Sequence, residues 1–391
     1  MNDTVLVGTG GYGLRHLRSL LELERSGRLR LVALVDVHVG EQATALLAEH
    51  QSAPARYADL GRALAAHQAD SVVIATPPHT HFALARTAIR AGTAVYLEKP
   101  PVTLLQDLDA LAALPAARRV EVGFQAAGAT VGALHRAWDA LGRPPVDDVV
   151  AHGALTRPDE YYRRSRWAGT WFLDGQAVLD GPLFNPLAHV VQAALLFAGQ
   201  VERDWAPASV EAECFHARPI EGDDISALRV TPHRGPRVVA VGTTSTDVVV
   251  RPGVLVHTRN GTIRVTDGGE RVVAYRGRAR VPVPSAVPVA SALERAVTDP
   301  GGPGDPVLSL RSTRNLVLTA NAVAQAVGAP GTPPRQSTWD GQRVAGLGRL
   351  VAACARRAAL FSEVAPEWAG STRRIEVTEY RGLMHPELVA A

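Results

Sequence analysis

Lysine is almost absent from this chain: of 41 Lys and Arg residues a single one, Lys99, is lysine. Arginine fills the positions where a plain positive charge suffices, so the remaining lysine points to a task arginine cannot perform. Arginine keeps its proton throughout the physiological range. A lysine ammonium releases one once a dry site or a neighbouring cation lowers its pKa. Lys99 therefore reads as a proton-handling or substrate-orienting group. Cysteine is also scarce. Cys214 and Cys354 offer neither a disulfide framework nor metal-ligand spacing, as expected in a reducing compartment. Long apolar runs are missing, which argues against a membrane span. The first strand starts near Thr4 and leaves no room for a signal peptide, so the cytoplasm is the expected location. Blocks of like charge are missing too. The net charge is +3 and the arginines are scattered, so nothing points to nucleic acid. What remains is ordinary for a soluble globular protein, at 46% hydrophobic and 20% charged residues, and 391 residues suit a two-domain chain.

The first 125 residues alternate strand and helix. Apolar runs at 4–7, 29–37, 71–75, 94–97 and 120–124 read as strands, with helical patterns through Leu14–Leu21, His81–Ala91 and Leu104–Leu114. Short connections and this alternation predict an α/β domain with a doubly wound parallel sheet over residues 1–125. From 126 to 391 the pattern becomes α+β. Helices are expected near 131–141, 186–197, 286–297, 308–327 and 342–361, and a long strand near 149–155. Successive antiparallel strands are expected from Val210 to Tyr275, with a hairpin at Arg259-Asn260-Gly261. The helices near 340–363 are candidates to pack back toward the first domain. Pro300–Pro306 reads as a loop, and the tail from Pro366 as a surface wrap or a dimer contact.

Gly8, Gly10 and Gly13 fit G-x-G-x-x-G between a strand and a helix, with Gly11 and Tyr12 inside the motif. Such a turn lets the backbone approach a pyrophosphate, which sits on the helix N-terminus where free N–H groups favour an anion. Asp36 ends the second strand and is placed to accept hydrogen bonds from a ribose diol. It would repel a 2′-phosphate, and Val37-His38-Val39 brings no arginine to neutralise one. NAD(H) is favoured over NADP(H), although His38 leaves the second cofactor open.

Two more segments follow parallel strands: Thr76-Pro77-Pro78-His79-Thr80-His81, and Glu98-Lys99-Pro100-Pro101. Both lie at strand C-termini, where open α/β sheets bind ligands. Pro100 holds Lys99 extended. A third piece, Asn185-Pro186-Leu187-Ala188-His189, reads as a helix start with Asn185 and His189 on one face. Together these resemble the glucose–fructose oxidoreductase, inositol dehydrogenase and MocA family (Gfo/Idh/MocA), closely over the first 125 residues and more loosely to about Glu363. The resemblance implies a Rossmann domain followed by a domain with a large open-faced sheet that forms homodimers or homotetramers. It also implies hydride transfer between NAD(P) and a carbon of a sugar, polyol or similar small molecule. Lys99 takes the place of the family's E-K-P lysine and His189 that of its helix histidine. Glu98, Thr76 and Pro77 fall in the cofactor-facing motifs. The family usually has aspartate where this chain has Asn185. An amide holds a hydroxyl but takes no proton. Asp180, five residues earlier, is a possible substitute that the sequence does not place.

Other positions keep two readings. His81 organises its loop or lies near the nicotinamide. Gln125 ends the last strand of the first domain and touches cofactor or substrate, or simply links. Tyr161, Arg163, Arg166 and Trp167, in an aromatic and basic stretch, form a sugar-binding lid or a solvated loop. Asp223-Asp224 reads as a turn. No residues complete a metal site. The expected function is an NAD(H)-dependent oxidoreductase of sugars, polyols or keto-sugars, with Lys99 and His189 handling the proton. The alternatives are a glycoside-cleaving enzyme that uses NAD transiently and a cofactor-sensing regulator without catalysis.

Overall fold

The computed structural model describes residues 1–286, 290–300, 302, 307–334, 341, 343–368 and 372–384. Contact patterns divide the chain into two compact units. The first holds Met1–Val102, Gln106–Phe124 and Pro288–Arg314; the second holds Thr103–Leu105, Gln125–Val287 and Asn315–Ala391. The first unit therefore gathers a segment from far along the chain.

In chain order the first unit begins β1 (Asn2–Val7), α1 (Tyr12–Arg25), β2 (Leu29–Val35), α2 (Glu41–Glu49), β3 (Ala55–Tyr57) and α3 (Leu60–His67). It continues β4 (Ser71–Ile74), α4 (His81–Arg90), β5 (Ala94–Leu97), α5 (Leu105–Ala112) and β6 (Val120–Val122). The six strands form one parallel sheet in the order β3-β2-β1-β4-β5-β6. All four residues of β4 and of β5 are buried, as a central strand covered on both faces requires. α1 buries Leu17, Leu20 and Leu21, one apolar stripe at helical spacing. The edge strand β3 was not expected from sequence; three residues are too few to show a period.

The second unit begins α6 (Gln125–Ala140), β7 (Val146–Thr156), α7 (Asp159–Arg163), the two-residue strands β8 (Phe172–Leu173) and β9 (Gln176–Ala177), and α8 (Ala188–Val201). It continues β10 (Pro207–Phe215), β11 (Ile225–Pro232), β12 (Arg237–Thr243), β13 (Ser245–Thr258), β14 (Gly261–Thr266), β15 (Val272–Arg276) and β16 (Ala279–Val281). Then come α9 (Ala292–Thr298), which belongs to the first unit, α10 (Arg314–Val327), α11 (Leu347–Arg357), α12 (Phe361–Val364) and β17 (Arg373–Glu376). Nine strands form a sheet in the order β16-β15-β14-β13-β7-β12-β11-β10-β17. Its pairs are antiparallel except β7 with β12, which run parallel, in keeping with the mostly antiparallel sheet expected. The expected hairpin is present: β13 and β14 pair antiparallel up to Thr258 and Gly261 around Arg259-Asn260.

α9 joins the first core because its apolar face fits there. Ala292, Leu293 and Val297 lie in one buried cluster with Leu6, Leu29 and Tyr96. Burying Leu293 and Val297 contributes about 3–6 kcal/mol. Arg295 donates to Glu121 at 2.6 Å, and Asn2 donates to the Thr298 carbonyl at 2.9 Å. The helices at 347–364 cover one face of the nine-stranded sheet of their own unit. Leu347, Val351, Cys354 and Phe361 lie in one cluster with Val150, Val239 and Leu255. Both cysteines are buried and unpaired. Trp368 joins that cluster, and β17, four residues of the tail, adds itself to β10 as an edge strand. Most of the loop at 300–306 and the chain beyond 384 lie outside the described residues. No described helix is long and apolar enough to cross a membrane.

On the opposite face of the large sheet, Gly153 of β7 and Gly242 of β12 are register partners. A Cβ on either would strike the side chain of Leu187. Their bareness lets the turn at 181–187 lie flat on the sheet, and that turn carries Asn185 and leads into α8.

Candidate functional site

Two clusters of polar residues stand out, one in each unit. In the first unit the chain leaves β1 through Gly8, whose φ of +88° and whose closeness to the Ala75 carbonyl both exclude a side chain. The Gly13 N–H closes the turn on the Gly10 carbonyl at 2.8 Å. α1 then starts after Gly11 with no side-chain cap, and a Cβ at Gly10 or Gly11 would meet nothing within 4 Å. Uncapped N–H groups above open space suit a pyrophosphate. Tyr12 opens the helix and is exposed.

Asp36 stands just past β2. Its Oδ2 accepts from both the Thr9 N–H and the Thr9 hydroxyl at 2.7 Å, and its Oδ1 accepts from the His38 N–H at 3.1 Å. Burial would raise its pKa, but these hydrogen bonds outweigh burial and hold the carboxylate below its ordinary value. An ionised oxygen pair has about four acceptor directions, so capacity for a ribose hydroxyl remains. Val37 beside it is 91% exposed and offers no positive charge. These residues fit NAD(H).

Lys99 follows β5, and its approach is anchored. Glu98 is buried; its Oε1 meets His16 Nε2 of α1 at 2.8 Å, and its Oε2 accepts from the Lys99 N–H at 3.0 Å. Burial pushes the Glu98 pKa up, but the hydrogen bond and charge of His16 and the nearby Lys99 prevail and lower it. His16 rings edge-on with Tyr96 at 5.3 Å. Glu98, expected among the cofactor-facing residues, also braces the lysine segment from within. His16 was missed, because a helix histidine three residues after a glycine motif has no signal of its own.

His81 is fully buried. Its Nδ1 lies 2.8 Å from the Pro100 carbonyl and its Nε2 2.8 Å from the Thr76 carbonyl. Both ring nitrogens therefore serve the backbone, tying the strand-end segment after β4 to the one after β5. Burial draws its pKa down despite those carbonyls. The loop-organising reading of His81 fits this geometry. Thr76 shares a 2.6 Å hydrogen bond with Thr80, whose hydroxyl also donates to the Pro77 carbonyl. Gln125 does not end a strand; it is the first residue of α6.

In the second unit, Asn185 precedes α8 rather than sharing a helix face with His189, which is the second residue of that helix. The Asn185 amide donates to Asp180 Oδ1 and to the Tyr161 hydroxyl, each at 2.7 Å. Asp180 is buried, and its Oδ2 accepts from the Gly169 N–H at 2.7 Å. A carboxylate thus stands against Asn185 after all, supplied from five residues upstream. Tyr161 is nearly buried, and the guanidiniums of Arg157 and Arg164 lie over its ring at 4.5 and 4.1 Å. Burial and Asp180 raise the Tyr161 pKa. Arg163 and Arg166, expected at the substrate, are exposed and paired with Glu160 and Asp174 at 3.1 and 2.9 Å. Trp167 is half-buried, with Arg164 5.5 Å over its ring.

Asp223 and Asp224 are no simple turn. Asp223 is buried against Gly181 and accepts from Trp171 Nε1 at 2.7 Å and from the Ser226 hydroxyl. Burial pushes its carboxyl up to about 7, against those two donors. Asp224 accepts from the Ala217 and Arg218 N–H groups and from the Ser245 hydroxyl. Charges four or more residues apart in sequence, joined only by the fold, left no sequence pattern.

Comparison with known proteins agrees with the first cluster. Residues 3–125 match the oxidoreductase family with an NAD-binding Rossmann fold. Inositol 2-dehydrogenase 1 of Saccharopolyspora erythraea is 37% identical over 95 residues, 24% of this chain and 27% of that protein. The match thus spans about a quarter of the relative's length. The WlbA dehydrogenase from Bordetella pertussis, solved with NADH and UDP-GlcNAcA, superposes with a TM-score of 0.63 at 23% identity, over 82% of this chain and 95% of that one. The aldose-aldose oxidoreductase from Caulobacter crescentus, solved with glycerol, gives 0.64 at 19% identity, over 82% and 97%. At such identities the likeness is one of fold.

Proposed function

We propose, from the match of residues 3–125 to the NAD-binding Rossmann-fold oxidoreductase family, that this protein transfers hydride between NAD(H) and an alcohol carbon of a sugar, polyol or keto-sugar. The observation that carries the reading is the setting of the only lysine. Lys99 follows a parallel strand, and the residue before it is a buried carboxylate fixed by His16 and by the Lys99 N–H. A lysine carrying surface charge alone needs no such brace. Inositol 2-dehydrogenase 1 among the relatives supports oxidation of a hydroxyl-bearing carbon.

The glycine turn holds the pyrophosphate and Asp36 the ribose hydroxyls. When bound, NAD⁺ accepts the hydride. Lys99 takes the proton from the substrate hydroxyl during oxidation and returns it during reduction. His189 is the second acid–base group, an imidazole able to accept or relay the proton. Asn185 has both amide hydrogens committed to Asp180 and Tyr161, so it acts further only as an acceptor and holds a substrate hydroxyl. The regulatory alternative rests on Asn185 lacking a carboxylate; Asp180 on its amide weakens that argument.

Absorbance in the NADH band, followed while sugars, inositols and their keto forms are supplied with either cofactor, tests the reading. The expected result is substrate-dependent NADH formation or loss that Lys99→Arg abolishes. Turnover without net NADH would mark the glycoside-cleaving route. NADH binding with no turnover of any such compound would overturn the proposal in favour of a regulator.

A further inference from the structure

Most of the arginines of this region answer a carboxylate. Arg163 meets Glu160, Arg166 meets Asp174, and the buried Arg218 meets Asp224. Arg157 and Arg164 are different. Among the described residues neither forms an ion pair, and the buried Nε of Arg157 has no hydrogen-bond partner. Asp180, the carboxylate beside Tyr161, is engaged by the Asn185 amide and the Gly169 N–H rather than by either guanidinium. What both arginines touch is the Tyr161 ring. Stacking on a ring face stabilises the charge and does not use the in-plane N–H donors of the guanidinium, so those of the exposed Arg164 and the part-buried Arg157 remain open to a ligand.

The placement is fixed by the backbone. The Arg157 N–H donates to the Thr244 carbonyl at 2.9 Å, and its own carbonyl accepts from Arg218 Nη2 at 2.8 Å. Arg164 caps the end of α7. The tyrosine between them is pinned through its hydroxyl to Asn185. Two cations without counter-ions are therefore held on the residue that touches the substrate-orienting amide. Guanidiniums in that state suit an oxyanion, which their forks bind bidentately.

We propose that Arg157 and Arg164, stacked on Tyr161, bind an anionic group of the substrate, so that the protein acts on a sugar carrying a carboxylate or a phosphate rather than on a neutral polyol. This rests on the oxidoreductase reading only in calling the anion a substrate. The lid arginines of the sequence, Arg163 and Arg166, have no part in it.

Calorimetric titration of the NAD-loaded protein with glucuronate, glucose 6-phosphate, glucose and myo-inositol tests the proposal, with absorbance in the NADH band recorded for the same four compounds. Glucuronate or glucose 6-phosphate should bind at least about tenfold more tightly than glucose, the size expected for one charge-assisted hydrogen-bonded contact. The tighter of the two tells whether carboxylate or phosphate is the natural group. Arg157→Gln and Arg164→Gln should each remove most of that preference, and the Lys versions should keep part of it. Added salt should weaken anion binding to the unaltered protein and not to the Gln variants. Where a Gln variant no longer binds NAD, and so fails to fold, the Lys variant and the salt series decide. Equal affinity for charged and neutral probes, or a preference that survives both Gln changes, overturns the anion site. Turnover of a neutral sugar at least as efficient as that of either anionic probe also overturns it while leaving the oxidoreductase reading intact. Anion binding lost in the Gln variants, with no NADH change for any compound, upholds the anion site and removes the oxidoreductase reading instead.

Discussion

The two clusters are assembled by opposite rules. The cofactor cluster is made from short contiguous segments at strand ends: the glycine turn after β1, Asp36 after β2, and Glu98-Lys99 after β5. Parallel β-α-β connectivity delivers every strand's C-terminus to one edge, so a motif in the sequence becomes a site almost automatically. The cluster around Tyr161, Asp180, Asn185 and Asp223 is made from a helix, two loops and a strand approach spread over some sixty residues. Its members are neighbours because Gly153 and Gly242 let one turn lie flat on the large sheet. The contrast teaches that a carboxylate absent from its expected position can be returned from elsewhere in the chain. Here Asp180 lies 2.7 Å from the amide of Asn185, the position at which the resemblance asks for an acid.

The comparison can be tested at points of decreasing leverage. The largest effect belongs to the proton-handling groups. Lys99→Arg keeps charge but not proton release, and His189→Ala removes the second acid–base group. Each should lower kcat by about 10²–10⁴-fold, with NADH affinity, measured by fluorescence titration, nearly unchanged. Near-normal turnover in Lys99→Arg would return this lysine to a charge or packing role.

Next comes the returned carboxylate. Asp180→Asn should lower kcat roughly 10–100-fold, the equivalent of one charged hydrogen bond at about 1.5–3 kcal/mol. The double change Asp180→Asn with Asn185→Asp restores the charge one side chain away and should recover part of the loss. If the single change has no kinetic effect, the second cluster is structural and the comparison fails.

Smaller again is cofactor choice. Asp36→Ser removes the carboxylate that repels a 2′-phosphate, so the ratio of NADPH to NADH dissociation constants should fall by about tenfold. Equal affinities in the unaltered protein would undo the reading of Asp36.

The smallest effect is on stability. Burial lifts the Asp223 carboxyl to about 7, above its unfolded value of 3.8. Below the unfolded pKa both states are protonated, and the native state carries no ionisation penalty. As pH rises from about 4 to 7 the unfolded chain gives up this proton first, so stability falls. Asp223→Asn should remove that fall. Its Tm relative to the unaltered protein should therefore rise by several degrees between pH 4 and pH 8 in a thermal melt series. A constant difference across that range would show that Asp223 titrates normally.

Reading the chain residue by residue shows where legibility stops. Gly8, Asp36 and Lys99 were recognisable because local geometry demands those residue types at that spacing. His81 was visible as a motif member, but its two carbonyl contacts needed coordinates. Arg163 and Arg166 looked like lid residues because basic and aromatic side chains alternate there. In the structure they pair with the exposed carboxylates of Glu160 and Asp174, while Arg157 and Arg164 take the tyrosine. Asn185 was expected on a helix, yet α8 starts only at Ala188, because Pro186 disfavours helical backbone at the residue before it.

By itself the sequence determined the parallel α/β half, the glycine turn after the first strand, the carboxylate after the second and the singular lysine, since each follows from backbone sterics or charge within a few residues. Only the tertiary structure decided that residues 292–298 complete the first core, that β7 and β12 run parallel, that His16 braces Glu98, and that Asp180 reaches Asn185. Those pairings depend on which faces can exclude water together and which buried polar groups can satisfy one another across long stretches of chain, and neither quantity is written in any local pattern of residues.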